Sequence, residues 1–404
     1  MTLWRNRSYR LLFSATAVSN LGDGVSALAF PWLATLITRD PVLIALVAFA
    51  GRLPWFLLSI PAGAVVDRGN RQWLMVRADV LRMGLTLLVV GLIIWAPPGE
   101  LGPILALSIL AFLLGSAEVL RDNAAQTILP SVVDKDHLEA ANGQLWSVEQ
   151  IAGQFIGPPV AGLLIAIAVP APFLLDAVTF GFAAWAVAAM AVRHREVPAR
   201  QSLGAEMAEG WAWMRAHPMV LRLAIMLGVM NGAAMMAMTM LVLISQERLG
   251  LGALGHGVLL TAGAAGGVVG GLLGPRVIAR IGRTSALRLA LVLFPLAFLA
   301  VAFTSSPVVV GIALFFEMLA ALFWNIVTVS WRQRIIPDDL LGRVNSLYRF
   351  FGWGVTPLGA LLGGVLVAAG EGQLGREAAL QLPYLVGAIV LAAVAVYGWR
   401  KLML

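Results

Sequence analysis

Residues 42–71 read VLIALVAFAGRLPWFLLSIPAGAVVDRGNR, an apolar stretch of 25 residues followed by the charged run DRGNR. About 20 apolar residues in an α-helix cross the hydrocarbon core of a bilayer. Eleven other stretches of the 404-residue chain are similarly apolar, so the sequence predicts an all-α integral membrane protein with twelve transmembrane helices. The predicted spans are residues 11–37, 42–66, 73–95, 101–121, 138–168, 171–192, 219–245, 254–278, 284–304, 307–330, 344–369 and 382–399.

The basic residues divide the connections between these spans into two sets. Of the 28 lysines and arginines, 24 fall at alternate connections and the two chain ends. Cytoplasmic loops carry the excess of positive charge in multi-pass membrane proteins. We therefore expect both termini of this cell-membrane protein to be cytoplasmic. The first span has no small-residue cleavage site before it and is expected to be retained.

Composition excludes several classes of function. The chain is 60% hydrophobic and 12% charged, about half the charged fraction of an average soluble domain. The net charge of +7 is spread over the connections, whereas nucleic-acid binding needs it on one folded face. We expect the basic residues to meet lipid headgroups of the bilayer, and expect no nucleic-acid partner. The absence of cysteine excludes disulfides and thiolate chemistry.

The longest predicted cytoplasmic connection, residues 193–218, divides the chain into bundles at 1–192 and 219–404. Its segment EMAEGWAWMRAHP is amphipathic enough to lie on a membrane surface. Two short patterns recur in the same order, QTILP with QRIIP and RGNR with RIGR. The sequence thus predicts two pseudo-symmetric six-helix halves, an arrangement that in transporters places the substrate near the midplane between the halves.

Three groups of residues resemble known transporters. Gly63-Ala-Val-Val-Asp67-Arg68-Gly-Asn-Arg71 resembles the signature between the second and third helices of the major facilitator superfamily. The stretch Gly153-Gln-Phe-Ile-Gly157-Pro158-Pro-Val-Ala-Gly162 resembles the motif of its drug/proton antiporters. The patterns SNLGDG, RLPW and EVLRDNAAQTILP resemble the subgroup that holds macrolide-efflux proteins and the enterobactin exporter. The resemblance implies the major facilitator fold and transport by alternating access.

The resemblance also implies a cytoplasmic gate, in which Asp67 caps a helix of the opposite half and pairs with a basic residue of span four. The gate residues it implies are Gly63, Asp67, Arg68, Arg71, Glu118, Arg121 and Asp122. The chain departs from the family pattern at Asn70, Gln72 and Ala279. The arginine expected in the middle of span four is missing, since Arg121 comes late in that span.

Charged residues inside spans are costly and normally face a protein interior or a wet cavity. Asp23 and Arg52 lie near the middle of spans one and two. They supply either a cavity-facing pair or a protonatable carboxylate, or they form a structural ion pair that locks the N-terminal half. Asp176 is expected to cap the start of span six.

Two more acids are candidates for proton coupling. Glu149 precedes Gly153 and Gly157 by four and eight residues and is expected on their helix face. It is either a proton-exchanging group or a carboxylate held by polar neighbours. Glu317, in span ten, is the proton-coupling candidate of the second half.

Apolar and aromatic residues supply candidates for a substrate cavity. Span seven is rich in methionine, which suits varied apolar ligands, although a lipid-facing wall is the alternative. The glycine stripes of span eight are expected to pack against span five. The candidate cavity residues are Trp32, Trp146, Phe155, Met230, Met235, Trp324, Asn325 and Trp353.

These features favour a secondary active transporter, a proton-coupled antiporter that exports amphipathic or hydrophobic small molecules. The alternatives are an exporter or importer of a specific metabolite such as a siderophore, and a non-transporting membrane scaffold. An enzyme is disfavoured because HExxH and GxSxG motifs are absent, and a nucleotide-driven pump because there is no GxxxxGK[ST] loop. We expect no cofactor or metal, a proton gradient as the energy source, and a monomer.

Overall fold

The computed structural model describes residues 3–95, 101–192, 203–337 and 340–402, without the side chains of Ile60, Ala64, Asp67, Lys135 and residues 203–206. Within these ranges the chain is helical almost throughout and forms no strand. The helices before the linker are α1 (Arg7–Ile37), α2 (Pro41–Arg68), α3 (Arg71–Trp95), α4 (Leu101–Ile128), α5 (Leu138–Glu149), α6 (Gly157–Ile167) and α7 (Ala171–Ala188). The later helices are α8 (Leu203–Ala216), α9 (Pro218–Glu247), α10 (Ala253–Ile281), α11 (Arg283–Phe303), α12 (Pro307–Ile335), α13 (Leu341–Gly354), α14 (Thr356–Leu374), α15 (Arg376–Ala379) and α16 (Leu382–Lys401).

The prediction of twelve spans agrees with these helices. Eleven segments of the described chain are long and apolar enough to cross a membrane. The 31-residue helix α1, which holds the polar run SNLGDG, completes the set. Span five combines α5 and α6, and span eleven combines α13 and α14. The fold is therefore the predicted all-α membrane architecture.

Span five changes geometry in its middle. Residues Gln150–Ile156 form a π-helical segment between α5 and α6. The segment ends at Gly157 and Pro158, and proline lacks the backbone donor that a regular α-helix needs in the preceding turn. Such π segments accommodate extra residues and often occur at functional sites. The irregularity of span five thus lies in the turns before Pro158.

Contacts divide the chain into two units. The first comprises Met1–Arg39, Leu46–Pro198 and Leu251–Thr261, and the second comprises the rest of the chain. The division differs from the predicted bundles 1–192 and 219–404, because the first turns of α10 belong to the first unit. The first residues of α2 likewise belong to the second unit.

Glycines allow close helix packing in the first unit. A Cβ at Gly24 of α1 would overlap the backbone of Gly153, and one at Gly157 would overlap the backbone of Gly24. The residues that resemble the antiporter motif therefore pack against α1. Gly162 lies against Ala253 in the first turn of α10.

The glycine stripe of α10 has packing partners within its own unit. A Cβ at Gly266 would overlap the backbone of Phe315, and Gly270 and Gly274 face Leu322 and Ile326 of α12. Within the first unit, a Cβ at Gly257 in the first turns of α10 would overlap the backbone of Pro158 in span five. The packing of the stripe itself against span five stays a prediction.

The methionines of α9 are mostly packed inside the second unit. Met226, Met230, Met236 and Met240 are at most 5% exposed, whereas Met238 is exposed. These four methionines do not form the lipid-facing wall offered as the alternative, because they fill gaps between close-packed helices. A role of span seven in binding apolar ligands stays a prediction.

The amphipathic linker segment forms helix α8, as its pattern predicts. It contacts α9 and packs against α13 of the same unit, where Trp211 stacks on Phe351 with ring centroids 5.8 Å apart and Arg343 forms an ion pair with Glu209. The part of the predicted linker at 193–202 lies outside the described residues.

Candidate functional site

Four helices of the first unit bring charged side chains together inside the bundle. Each of these side chains lies within a span and has a charged neighbour on another helix. We call them the charge network: Asp23 of α1, Asp79 and Arg82 of α3, Glu118, Arg121 and Asp122 of α4, and Asp176 of α7. The network contains five carboxylates and two guanidinium groups.

Arg82 is the central cation of the network. Its guanidinium donates to the carboxylate of Asp23 and lies 3.9 Å from the centre of the Phe180 ring. Only 3% of Arg82 is exposed. Arg82 was counted among the basic residues of the connections, although it lies within the predicted span 73–95, and α3 begins eleven residues earlier at Arg71. This places Arg82 about 16 Å along the helix.

The predicted pairing of Asp23 with Arg52 is wrong. Asp23 pairs with Arg82, and Arg52 is exposed rather than buried. The pair was suggested because Asp23 and Arg52 both lie near the middle of their predicted spans. A similar depth in the membrane does not determine the direction in which a side chain points. Arg52 lies instead within electrostatic reach of Glu118.

Asp79 was missed by the sequence analysis. It is fully buried, with Arg121 Nε 3.5 Å and Arg82 Nη1 3.9 Å from its Oδ1. Neither carboxylate oxygen accepts a well-aligned hydrogen bond within the described chain. The available signal was the spacing of Asp79 and Arg82, an acid and a base three residues apart inside a predicted span.

Arg121 lies deeper than predicted. It is 3% exposed, and its Nη1 lies 3.6 Å from Asp122 Oδ1. Since α4 continues to Ile128, Arg121 is about 10 Å from the end of the helix. Its described partners, Asp79 and Asp122, are inside the bundle, so it is not the boundary residue that the sequence suggested.

The other predicted gate residues lie near the end of α2 and the start of α3. Arg71 donates to the carbonyl of Thr127 at 3.1 Å. Arg68 is exposed and Gly63 half-buried. The side chain of Asp67 lies outside the described part, so its pairing stays a prediction.

Asp176 is not a helix cap. It lies in the second turn of α7, which begins at Ala171, and is 2% exposed. Its carboxylate accepts hydrogen bonds from Ser26 of α1 and from Thr179. Asp176 therefore binds α7 to α1 inside the bundle.

Glu149 does not share the face of the glycine motif. It is exposed, whereas Gly157 is buried against α1. The π segment that follows Glu149 changes the helical register, so the four-residue spacing no longer predicts a common face. Glu149 still lies within electrostatic reach of Asp122, Arg121 and Asp23, and so belongs to the surroundings of the charge network.

The second unit contains a smaller set of polar residues. Glu317 of α12 is half-buried and lies within electrostatic reach of the buried Tyr384. Arg332 lies 3.3 Å from the ring centre of Tyr348. Asn325 is exposed. Glu317 has no comparable group of acids around it among the described residues.

The predicted cavity residues fall into two groups. Trp32, Met230 and Trp324 are 8%, 5% and 1% exposed. They are buried in this structure, so their place in a substrate cavity stays a prediction. The residues that reach an open or partly open surface are Trp146, Phe155, Trp353, Asn325 and Met235.

The arrangement favours exchange of a proton or attraction of a cation. With every carboxylate ionised, the network would carry three more negative than positive charges, and Arg52 balances only one of them. Unbalanced charge inside a membrane is costly. Among the described residues, no three His, Cys, Asp or Glu side chains are arranged to hold a metal ion.

Comparisons with known proteins agree with this architecture. A family model described as transmembrane secretion effector matches residues 2–402. The multidrug efflux pump Tap of Mycobacterium tuberculosis is 28% identical over 404 residues, with 96% of this chain and 93% of the pump covered. The staphyloferrin A transporter of Staphylococcus aureus is 23% identical over 354 residues, which cover 87% and 88% of the two chains.

Solved transporters share the fold. A bacterial homologue of the iron transporter ferroportin superposes with a TM-score of 0.75 at 16% identity, and both chains are fully covered. The nucleoside transporter NupG superposes with a TM-score of 0.72 at 14% identity over the same full lengths. At such identities the likeness concerns the fold alone.

Proposed function

Because this chain belongs to the transmembrane secretion effector family of the major facilitator superfamily, we propose that it is a proton-coupled antiporter that exports amphipathic small molecules from the cell. It is a multi-pass membrane transporter and not an enzyme. Transport by alternating access is general to this superfamily.

The charge network is the observation that supports proton coupling. Among the described residues, five carboxylates inside four packed helices share two buried guanidinium groups, with Arg52 within electrostatic reach of one of the acids. Ionisable groups in such positions mark ion pathways and proton relays in membrane proteins. We propose Asp23 and Glu149 as coupling groups of the first unit, and Glu317 as a further group in the second.

A cationic or neutral amphipathic substrate fits this surface better than an anion. The exposed Glu149 and the half-buried Glu118 and Asp122 supply negative charge. Trp146 and Phe155, whose rings are exposed, belong to the same span as Glu149. Aromatic faces attract organic cations. The likeness to a multidrug efflux pump supports the same substrate class.

A siderophore transporter is the second candidate, supported by the likeness to the staphyloferrin A transporter. An acidic surface would repel a siderophore that carries negative charge. We therefore rank it below export of amphipathic compounds. Proteoliposomes distinguish the two candidates, because only the first requires uptake of a lipophilic cation.

The orientation and the gate complete the proposal. We propose that both termini are cytoplasmic, since the excess of arginine lies on their side of the membrane. The bundles 1–192 and 219–404 would be the moving halves of a monomer in the cell membrane. Asp67, Arg68 and Arg71 would contribute to a cytoplasmic gate.

Transport of ethidium into inside-out proteoliposomes tests the function. With an imposed pH gradient, acidic inside, the protein should accumulate ethidium, and a protonophore should abolish the accumulation. Asp23→Asn and Glu149→Gln should abolish uphill accumulation, while the control Asp136→Asn, at an exposed connection, should behave as wild type. Normal uphill transport by both coupling variants would refute their assignment.

A further inference from the structure

One fully buried acid of the charge network is not among the coupling groups proposed so far. Asp79 is 0% exposed, and neither of its oxygens accepts a well-aligned hydrogen bond from the described residues. Buried carboxylates normally accept several such bonds. Asp79 has only two offset guanidinium groups, at 3.5 Å and 3.9 Å.

Both guanidinium groups have an alternative partner. Arg82 already donates to Asp23 of α1, and Arg121 lies 3.6 Å from Asp122 of α4. If Asp79 became neutral, each arginine would keep one carboxylate. Each arginine can therefore keep a carboxylate partner in both protonation states of Asp79, which differ by one proton.

The surrounding charges on every packed helix favour such an exchange. Helix α3 packs against α4 and α7, and its Arg82 reaches Asp23 on α1. The charged groups that face Asp79 or its partner Arg82 are Asp23, Glu118, Arg121, Asp122 and Asp176. Four of these five are carboxylates, so a further negative charge on Asp79 is poorly compensated.

A route for the proton is present in the same cluster. The side chains of Asp122 and Asp23 are 34% and 30% exposed, whereas Arg121 and Arg82, which lie between them and Asp79, are nearly buried. Carboxylates inside spans form proton relays, and a proton from either acid would reach Asp79 once the arginines, which keep their own protons, have moved aside. Asp79 is thus more deeply buried than the two partly exposed acids, Asp23 and Asp122.

We propose that Asp79 is a proton-carrying group of the transport cycle. Its carboxylate binds one proton when its ion pairs to Arg82 and Arg121 open, and releases that proton when they re-form. Each cycle would change the contact between α3 and α4, because Arg121 moves between Asp79 and Asp122. This inference rests on the proposed proton coupling and adds a residue to it.

Infrared difference spectroscopy of the purified protein during a pH titration tests Asp79 without any substrate. The wild type should show a carboxylic-acid band that disappears as pH rises. Asp79→Asn should lack one such band, Asp79→Glu should shift it, and the control Asp136→Asn should leave it unchanged. An Asp79→Asn spectrum identical to that of the wild type would overturn the proposal.

Transport separates this inference from the proposed function. Asp79→Asn should lose accumulation of ethidium driven by a pH gradient, down to the level of protein-free vesicles, yet still equilibrate ethidium downhill. Asp79→Glu should retain uphill transport, which guards against failure of the amide variant to fold. Uphill transport by Asp79→Asn would refute the inference alone. Absence of gradient-driven transport in the wild type would refute the proposed function, while the infrared band would still report on Asp79.

Discussion

Replacement of Arg82 by glutamine removes the central cation of the charge network. Arg82 is 3% exposed, donates to Asp23 and lies over the Phe180 ring at 3.9 Å. Removal of one partner from a buried ion pair costs about 3–5 kcal/mol, because the other charge is left uncompensated. Asp79 would also lose one of its two cations. We expect Arg82→Gln to lower the free energy of unfolding by about 3–5 kcal/mol.

The double variant tests the cause of this loss. Asp23→Asn removes the charge that Arg82→Gln leaves unpaired, so the double variant should recover about 1–3 kcal/mol relative to the sum of the single variants. Unfolding of the detergent-solubilised protein, followed by tryptophan fluorescence, measures each free energy. The matched control Arg68→Gln, at the exposed end of α2, should change it by less than about 0.5 kcal/mol. Additive effects of Arg82→Gln and Asp23→Asn, or equal effects of Arg82→Gln and Arg68→Gln, would refute the reasoning.

Three further predictions concern packing, the linker helix and topology. Gly24→Val should destabilise the first unit by about 1–3 kcal/mol in the same assay, because the valine side chain would overlap the π segment. The control Gly84→Ala should leave the stability unchanged, because its Cβ would meet no atom within 4 Å. Equal effects of the two variants would contradict this packing. Trp211→Ala should weaken the contact of α8 with α13 and raise hydrogen exchange of α8; unchanged exchange would contradict a packed helix. In a chain without native cysteine, Ser305→Cys should react with an impermeant thiol reagent on intact cells and Asp136→Cys only after permeabilisation, and the reverse pattern would contradict the proposed orientation.

The sequence predicted the helices well where apolar length decides them. The spans are bounded by glycine, proline and charged residues, and these boundaries recur within a few residues in the structure. The end of α4 is an exception. Arg121 and Asp122 were interpreted as the membrane boundary, but Asp79 partly compensates the charge of Arg121, so the helix continues with them inside the bundle. One sequence does not reveal that compensation.

The partners within the network were harder to predict than its members. Asp23 was recognised as a charge inside a span, yet its partner depends on how α7 packs against both α1 and α3. The face of Glu149 was misjudged because the π segment at Gln150–Ile156 alters the register, and regular periodicity assumes an unbroken helix. Side-chain direction and local helix geometry, rather than residue type, account for these differences.

Simultaneous measurement of proton and substrate flux tests the central claim most directly. Proteoliposomes loaded with a pH-sensitive dye and ethidium, with no imposed pH gradient, report both fluxes in one experiment. The account predicts that ethidium leaving by the wild-type protein drives protons in the opposite direction, and that Asp23→Asn loses this proton movement. Ethidium flux through the wild type with no accompanying proton movement would contradict it.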